Sequence, residues 1–128
     1  MEKSSIRADV AGTIQVHSSK TYAQRAVAAA LLCEGETTLL NMELCSDTQA
    51  ALRVAQSLGA SAEQTDSSTY KIKGGFSGGS LAPVDTTIDI GESGLSARMF
   101  TPIASLCTVP VTIIGHGSIV QRPVDMMV

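Results

Sequence analysis

Three places in this 128-residue chain set a cation or a tight glycine turn at the start of a predicted helix. Ser18-Ser19-Lys20-Thr21 opens a stretch rich in Ala and Leu, with Arg25 one turn further on. Gly91-Glu92-Ser93-Gly94 is a turn that lets backbone approach a ligand closely, and Arg98 follows one turn later. Arg122-Pro123 carries the proline that suits a first helical position. A helix start holds unpaired N–H groups and a partial positive charge, so it attracts anions. Four of the nine Lys and Arg residues stand at these starts. In an α/β layer such starts follow strand ends, where ligands bind. The pattern predicts a site for two small anionic groups, such as phosphate and carboxylate. Arginine would grip them in bidentate fashion and lysine would act as a point charge. Each feature also has a plainer reading: Lys20 and Arg25 as solvated charges, G-x-x-G as a turn only, and Arg-Pro as an exposed helix start.

The elements that must position these residues follow from periodicity and punctuation. Residues 13–17 alternate as a strand would. A helix fits over 19–33, with Gly35 as its stop. Residues 37–41 form a short buried strand. Ser46-Asp47-Thr48-Gln49 is a capping box with Ser46 at the N-cap, opening a helix that runs to Leu58 and is closed by Gly59. Residues 61–64 and 69–73 are two antiparallel strands, and the glycines at 74–79 make a flexible hairpin loop. They lack the G-K-[ST] ending of a phosphate-binding P-loop. A strand over 86–90, a helix over 95–106 and a strand over 109–114 come next, before the helix opened by Arg122-Pro123.

An internal comparison shows the pattern restarting. Residues 24–41 lie over 98–115 without a gap, matching Ala30, Leu32, Cys33 and Thr38 with Ala104, Leu106, Cys107 and Thr112. The expected fold class is α/β, built of βαβαββ repeat units and broken off in the second unit; the alternative is a complete small α/β domain whose internal similarity is accidental. Cys33 and Cys107, at matching places, are expected to pack in the core. Cys45 before a helix start is read as inert, and Asp47 as favourable to the helix dipole and nothing more.

Composition excludes several classes. Apolar residues make up 44%, enough to fill a core. Charged residues are only 16%, against about 25% in ordinary soluble domains. So little charge suggests a surface partly covered by something else. The net charge of −3 argues against a sequence-independent nucleic-acid binder. Two Tyr, two Phe and no Trp argue against base-stacking platforms. Three cysteines without C-x-x-C spacing indicate neither a disulfide framework nor structural zinc, and a cytoplasmic location is the simple reading. His17 and His116 have no partners at metal spacing, so no metal is assigned. Residues 99–121 carry no charge, but Pro102, Pro110, Gly115 and Gly117 cut them into pieces too short to span ~30 Å of membrane.

The ordered set of Ser18-Ser19-Lys20-Thr21-x-x-x-Arg25-Ala26, Asn41, Ser46-Asp47-Thr48, Leu58-Gly59-Ala60, Gly91-x-x-Gly94-x-x-x-Arg98 and Arg122-Pro123 resembles 5-enolpyruvylshikimate-3-phosphate synthases. The UDP-N-acetylglucosamine enolpyruvyl transferases, which share the fold, rank second because their first motif usually has Asn after the lysine. A non-catalytic anion-binding module is the remaining alternative. The resemblance implies the inside-out barrel fold of the enolpyruvyl transferases. Residues 1–17 would be strands packing with a second domain, and residues 18–128 an incomplete first domain. It implies transfer of the enolpyruvyl group of phosphoenolpyruvate to the 5-hydroxyl of shikimate 3-phosphate, with phosphate released and no cofactor. Lys20 would contact both substrates and take part in catalysis. Thr21, where the family has Ser, and Arg25 would bind shikimate 3-phosphate. Gly94 and Arg122 would hold phosphoenolpyruvate, and Arg98 would support the glycine loop. Glu92, Leu95 and Met99 depart from the Asn, Thr and Pro common in that loop, and a carboxylate at Glu92 would repel an anion unless paired or turned away. The family's enzymes are several times longer, so the isolated chain is expected to be inactive, the general acid and base lying in the missing C-terminal part.

Overall fold

Alanine and leucine at helical spacing make the first helix, α1 (Lys20–Leu31), whose buried stripe holds Gln24, Val27, Ala28, Ala30 and Leu31. In this computed structural model, which describes residues 3–123, α1 leads into β1 (Glu36–Leu39), α2 (Ser46–Ser57), β2 (Ser61–Gln64) and β3 (Tyr70–Lys73). The three strands form an antiparallel sheet in the order β1-β3-β2, with Ile72 opposite both Thr37 and Ala62. Alternation along β3 buries Tyr70 and Ile72 and leaves Lys71 and Lys73 in water. A two-residue turn at Gly78 and Gly79, both with positive φ, closes the hairpin of β4 (Phe76–Ser77) and β5 (Ser80–Leu81).

The second unit is a βαβ crossover. β6 (Thr87–Asp89) and β7 (Thr112–Ile114) pair in parallel, with Ile88 opposite Ile113, and α3 (Gly94–Ala104) connects them. A five-residue 3₁₀ turn, Gly117–Gln121, follows. α1 starts at Lys20 and α3 at Gly94, an offset of 74 residues (94 − 20) that equals the offset of the internal sequence match (98 − 24). One core joins the two units: Val27, Leu31, Leu58, Ile72, Leu81, Ile88 and Phe100 are completely buried within it.

Several sequence expectations need correction. Residues 13–17 are not in a strand: among the described residues none pairs with them, and Ile14 and Val16, like Ile6 and Val10 before them, stand in water. Gly35 is not the stop of α1. The helix ends at Leu31, its last carbonyls accepting from Leu32, Cys33 and Gly75, and Gly35 instead accepts from the Gly74 N–H. The capping box is shifted by one residue. Cys45 is the N-cap, and the hydroxyl of Thr48, not Gln49, accepts from the Cys45 N–H at 2.8 Å. Cys33 is exposed rather than in the core, since it follows the last turn of α1, whereas Cys107 packs half-buried against the core. Gly74 and Gly75 are a tight crossing rather than an open loop: a Cβ at Gly75 would lie 2.6 Å from the Gly59 carbonyl carbon, and one at Gly74 would overlap the Cys33 carbonyl oxygen. Arg122 closes the 3₁₀ turn in extended conformation, and the helix expected after Pro123 lies outside the described residues.

Phe100 fills the contact between α3 and the rest of the core with no exposure, so Phe100→Ala is expected to cost about 3–5 kcal/mol. Val84→Ala, at an exposed position, should change stability by less than about 0.5 kcal/mol. Urea unfolding of the two variants checks this, and equal midpoints would contradict the assignment of the core.

Candidate functional site

The starts of α1, α2 and α3 converge on one recess of about 300 Å³, lined by Lys20, Thr21, Gln24, Asp47, Glu92, Ser93, Gly94, Leu95 and Arg122. Four of the six residues singled out from the sequence therefore share the recess: Lys20 and Thr21 on one side, Gly94 and Arg122 on the other. Arg25 lies one turn along α1, where its guanidinium donates to the Thr21 carbonyl at 3.2 Å. Arg98 lies on the exposed side of α3 and does not line the recess.

Gln24 holds the two helix starts together. It is 1% exposed, and its amide oxygen accepts from the hydroxyls of Ser93 at 2.9 Å and Ser96 at 3.2 Å. Its amide nitrogen donates to the Lys20 carbonyl at 3.3 Å. Ser93 in turn caps α3 by accepting from the Ser96 N–H. The latch ties the first turn of α1, which carries Lys20, to the first turn of α3, which carries Gly94.

Arg122 reaches the recess because residue 94 has no side chain. A Cβ there would fall 2.6 Å from a guanidinium nitrogen of Arg122. Glu92 is turned toward the 3₁₀ turn, where a carboxylate oxygen accepts from the Ser118 N–H at 3.1 Å and the carboxylate lies against Gly117. The clasp engages its charge and fastens the segment that leads to Arg122.

The ammonium of Lys20 donates to Asp47 at 2.9 Å. That hydrogen bond and the carboxylate's charge raise the lysine above its ordinary value, so it is a cation throughout the neutral range. Next door, partial burial works to raise the Cys45 thiol, but hydrogen bonds from the Thr48 N–H and hydroxyl and from the Asp47 N–H outweigh it and bring the thiol below its usual value.

Sequence reasoning missed Asp47 as the partner of Lys20, and Gln24 altogether. A signal for Gln24 was present: a polar residue on the otherwise apolar stripe of α1 needs partners when buried. Asp47 carried no such signal, because an acid in a first turn is already explained by the helix dipole.

Among the described residues, no helix is long and apolar enough to cross a membrane. Residues 5–128 match the family model described as EPSP synthase (3-phosphoshikimate 1-carboxyvinyltransferase). The 3-phosphoshikimate 1-carboxyvinyltransferase of Clostridium novyi is 33% identical over 94% of this chain and 29% of its own length. The enzyme of that name from Streptococcus uberis is 32% identical over 91% of this chain and 27% of its length. The chain thus spans under a third of these relatives. The solved structure of EPSP synthase from Acinetobacter baumannii superimposes with a TM-score of 0.77 over 89% of this chain and 26% of that one; at 24% identity it shows a shared fold.

Removing the Asp47 charge should let the Lys20 ammonium fall back toward 10.5. An NMR titration of the lysine side chains in Asp47→Asn checks this, and an unmoved Lys20 would contradict the pairing.

Proposed function

The chain belongs to the EPSP synthase family, and from that membership we propose that it supplies the N-terminal part of an enzyme making an enolpyruvyl ether from phosphoenolpyruvate and shikimate 3-phosphate. The observation that carries this reading is the shared recess with Lys20 and Thr21 on one wall and Gly94 and Arg122 on the other. Two anionic substrates must be brought together, and their repulsion must be offset by fixed cations.

In this reading Lys20 lies between the two substrates and is the catalytic cation of this part of the chain. Thr21 and Arg25 hold shikimate 3-phosphate, although Arg25 must swing from the Thr21 carbonyl to do so. Gly94 lets phosphoenolpyruvate approach the backbone, and Arg122 pairs with its charge. Arg98 supports the glycine turn from outside the recess. The 5-hydroxyl gives up its proton and adds to C2 of phosphoenolpyruvate while C3 gains a proton, and the tetrahedral intermediate then loses phosphate together with a C3 proton, which restores the enolpyruvyl double bond. As negative charge moves toward the leaving phosphate, preorganised cations stabilise it without reorganisation. The acid and base for the proton steps come from the rest of a longer parent, whose second domain also packs with residues 1–17. The setting is aromatic amino-acid biosynthesis in the cytoplasm, and the partners are these two small anions rather than nucleic acid or membrane.

Within the longer parent, Lys20→Met and Arg122→Met are each expected to slow phosphate release from the two substrates by about 100- to 1000-fold. The isolated 128-residue chain should release phosphate no faster than a blank. Enzyme-like turnover by the isolated chain, or full activity of both variants, would contradict this reading.

A further inference from the structure

β1 has β3 on one side and no neighbour on the other among the described residues. Beside its open edge runs a groove of about 450 Å³ between α1 and β1, with Tyr22, Ala23, Ala26, Leu39 and Leu40 on its walls. The second unit shows what such an edge takes. There β6 lies parallel to β7, and Ile88 and Ile90 are 0% and 3% exposed. Subtracting the 74-residue offset carries Thr87-Ile88-Asp89-Ile90 onto Thr13-Ile14-Gln15-Val16, where Thr and the first Ile are identical. Ile14 and Val16 are instead 83% and 71% exposed. From these observations we infer that the open edge of β1 is a strand-docking surface whose occupant is the chain's own 12–16 segment, added in parallel as β6 is added to β7.

Hydrogen-bond phase supports this seat. The Gly74 N–H donates to the Gly35 carbonyl at 3.1 Å, and Glu36 stands opposite Lys73. Antiparallel pairs alternate, so Thr37 and Leu39 exchange bonds with β3, while Thr38 and Leu40 turn their backbone groups to the open edge. In the second unit the Thr112 N–H donates to the Thr86 carbonyl, and the Ile90 N–H donates to the Ile114 carbonyl. Shifted by the same offset, these become Thr38 N–H to Gly12 and Val16 N–H to Leu40, which use outward-facing groups of Thr38 in β1 and of Leu40 just past its end.

The connection also fits. Three residues separate Val16 from Lys20, as three separate Ile90 from Gly94. The joint is already fastened: the Ser18 N–H donates to the Glu43 carboxylate at 3.3 Å, and the Glu43 N–H donates to the Ser18 hydroxyl at 3.2 Å. The second unit has a similar clasp between Glu92 and Ser118, one residue beyond the shifted position of Glu43. Residues 12–16 need only swing about this joint to bury Ile14 and Val16 over the groove. The seat is independent of the enzymatic reading, and for the chain on its own it is the alternative to packing with a second domain.

Amide hydrogen exchange and disulfide trapping on the 128-residue chain test the seat. The Val16 amide is expected to exchange at least tenfold more slowly than that of Val10. Thr13→Cys with Thr38→Cys should oxidise at least tenfold faster than Val10→Cys with Thr38→Cys, and peptide mapping should place the bond within a monomer. Val16 exchange as fast as Val10, with equal trapping of both pairs, overturns the proposal. So does a bond found only between two chains, which would give the edge to a second copy.

Discussion

Everything in the candidate site hangs on one buried amide. Gln24 is a polar side chain on the apolar stripe of α1, and it is tolerable there only because Ser93, Ser96 and the Lys20 carbonyl satisfy it. Those partners lie at the first turns of two helices from different repeat units. The price of burying the amide is thereby converted into a fixed spacing between Lys20 and Gly94. An apolar residue at position 24 would bury equally well, but it would leave two serine hydroxyls without an acceptor and the two helix starts without a tie.

Around that tie the charges are arranged so that the cations stay charged and the acids are occupied. Asp47 is paired with Lys20, and the Glu92 carboxylate accepts from the Ser118 N–H, so one acid is matched by a cation and the other is hydrogen-bonded to backbone. Arg122 can approach only because position 94 is glycine. The Glu92 clasp also explains how this chain accommodates an acid in the glycine turn beside the recess. The acid has become a fastening for the segment that ends at Arg122, and the first unit has a clasp nearby in its repeat, Ser18 with Glu43, one residue short of the position that matches Ser118.

Much of this was legible in the sequence wherever a local rule decides the outcome. The alanine-rich α1, the left-handed stop at Gly59, the antiparallel pair β2 and β3, and the 74-residue restart all follow from propensity, punctuation and periodicity. Long-range competition decided the remainder. Ser46 and Cys45 both precede a plausible helix, and the reach of the Thr48 hydroxyl selects Cys45. Gly74 and Gly75 read as a loop, yet they are required where the chain crosses the end of α1 and Gly59, a contact no local window contains. Residues 13–17 carry strand alternation, but a strand needs a neighbour, and pairing is not written in one segment. For the site, the cations and glycines announced themselves by type and spacing. Asp47 and Gln24 were hidden because their roles exist only once three helix starts meet.

The central claim is that these helix starts form one anion site. Titration of the isotope-labelled chain with inorganic phosphate, followed through its backbone amide signals, tests it most directly. Saturable shifts confined to Lys20, Thr21, Gly94 and their immediate neighbours are the expected result. Shifts scattered over the surface, or concentrated away from these residues in a chain that is otherwise folded, would contradict it.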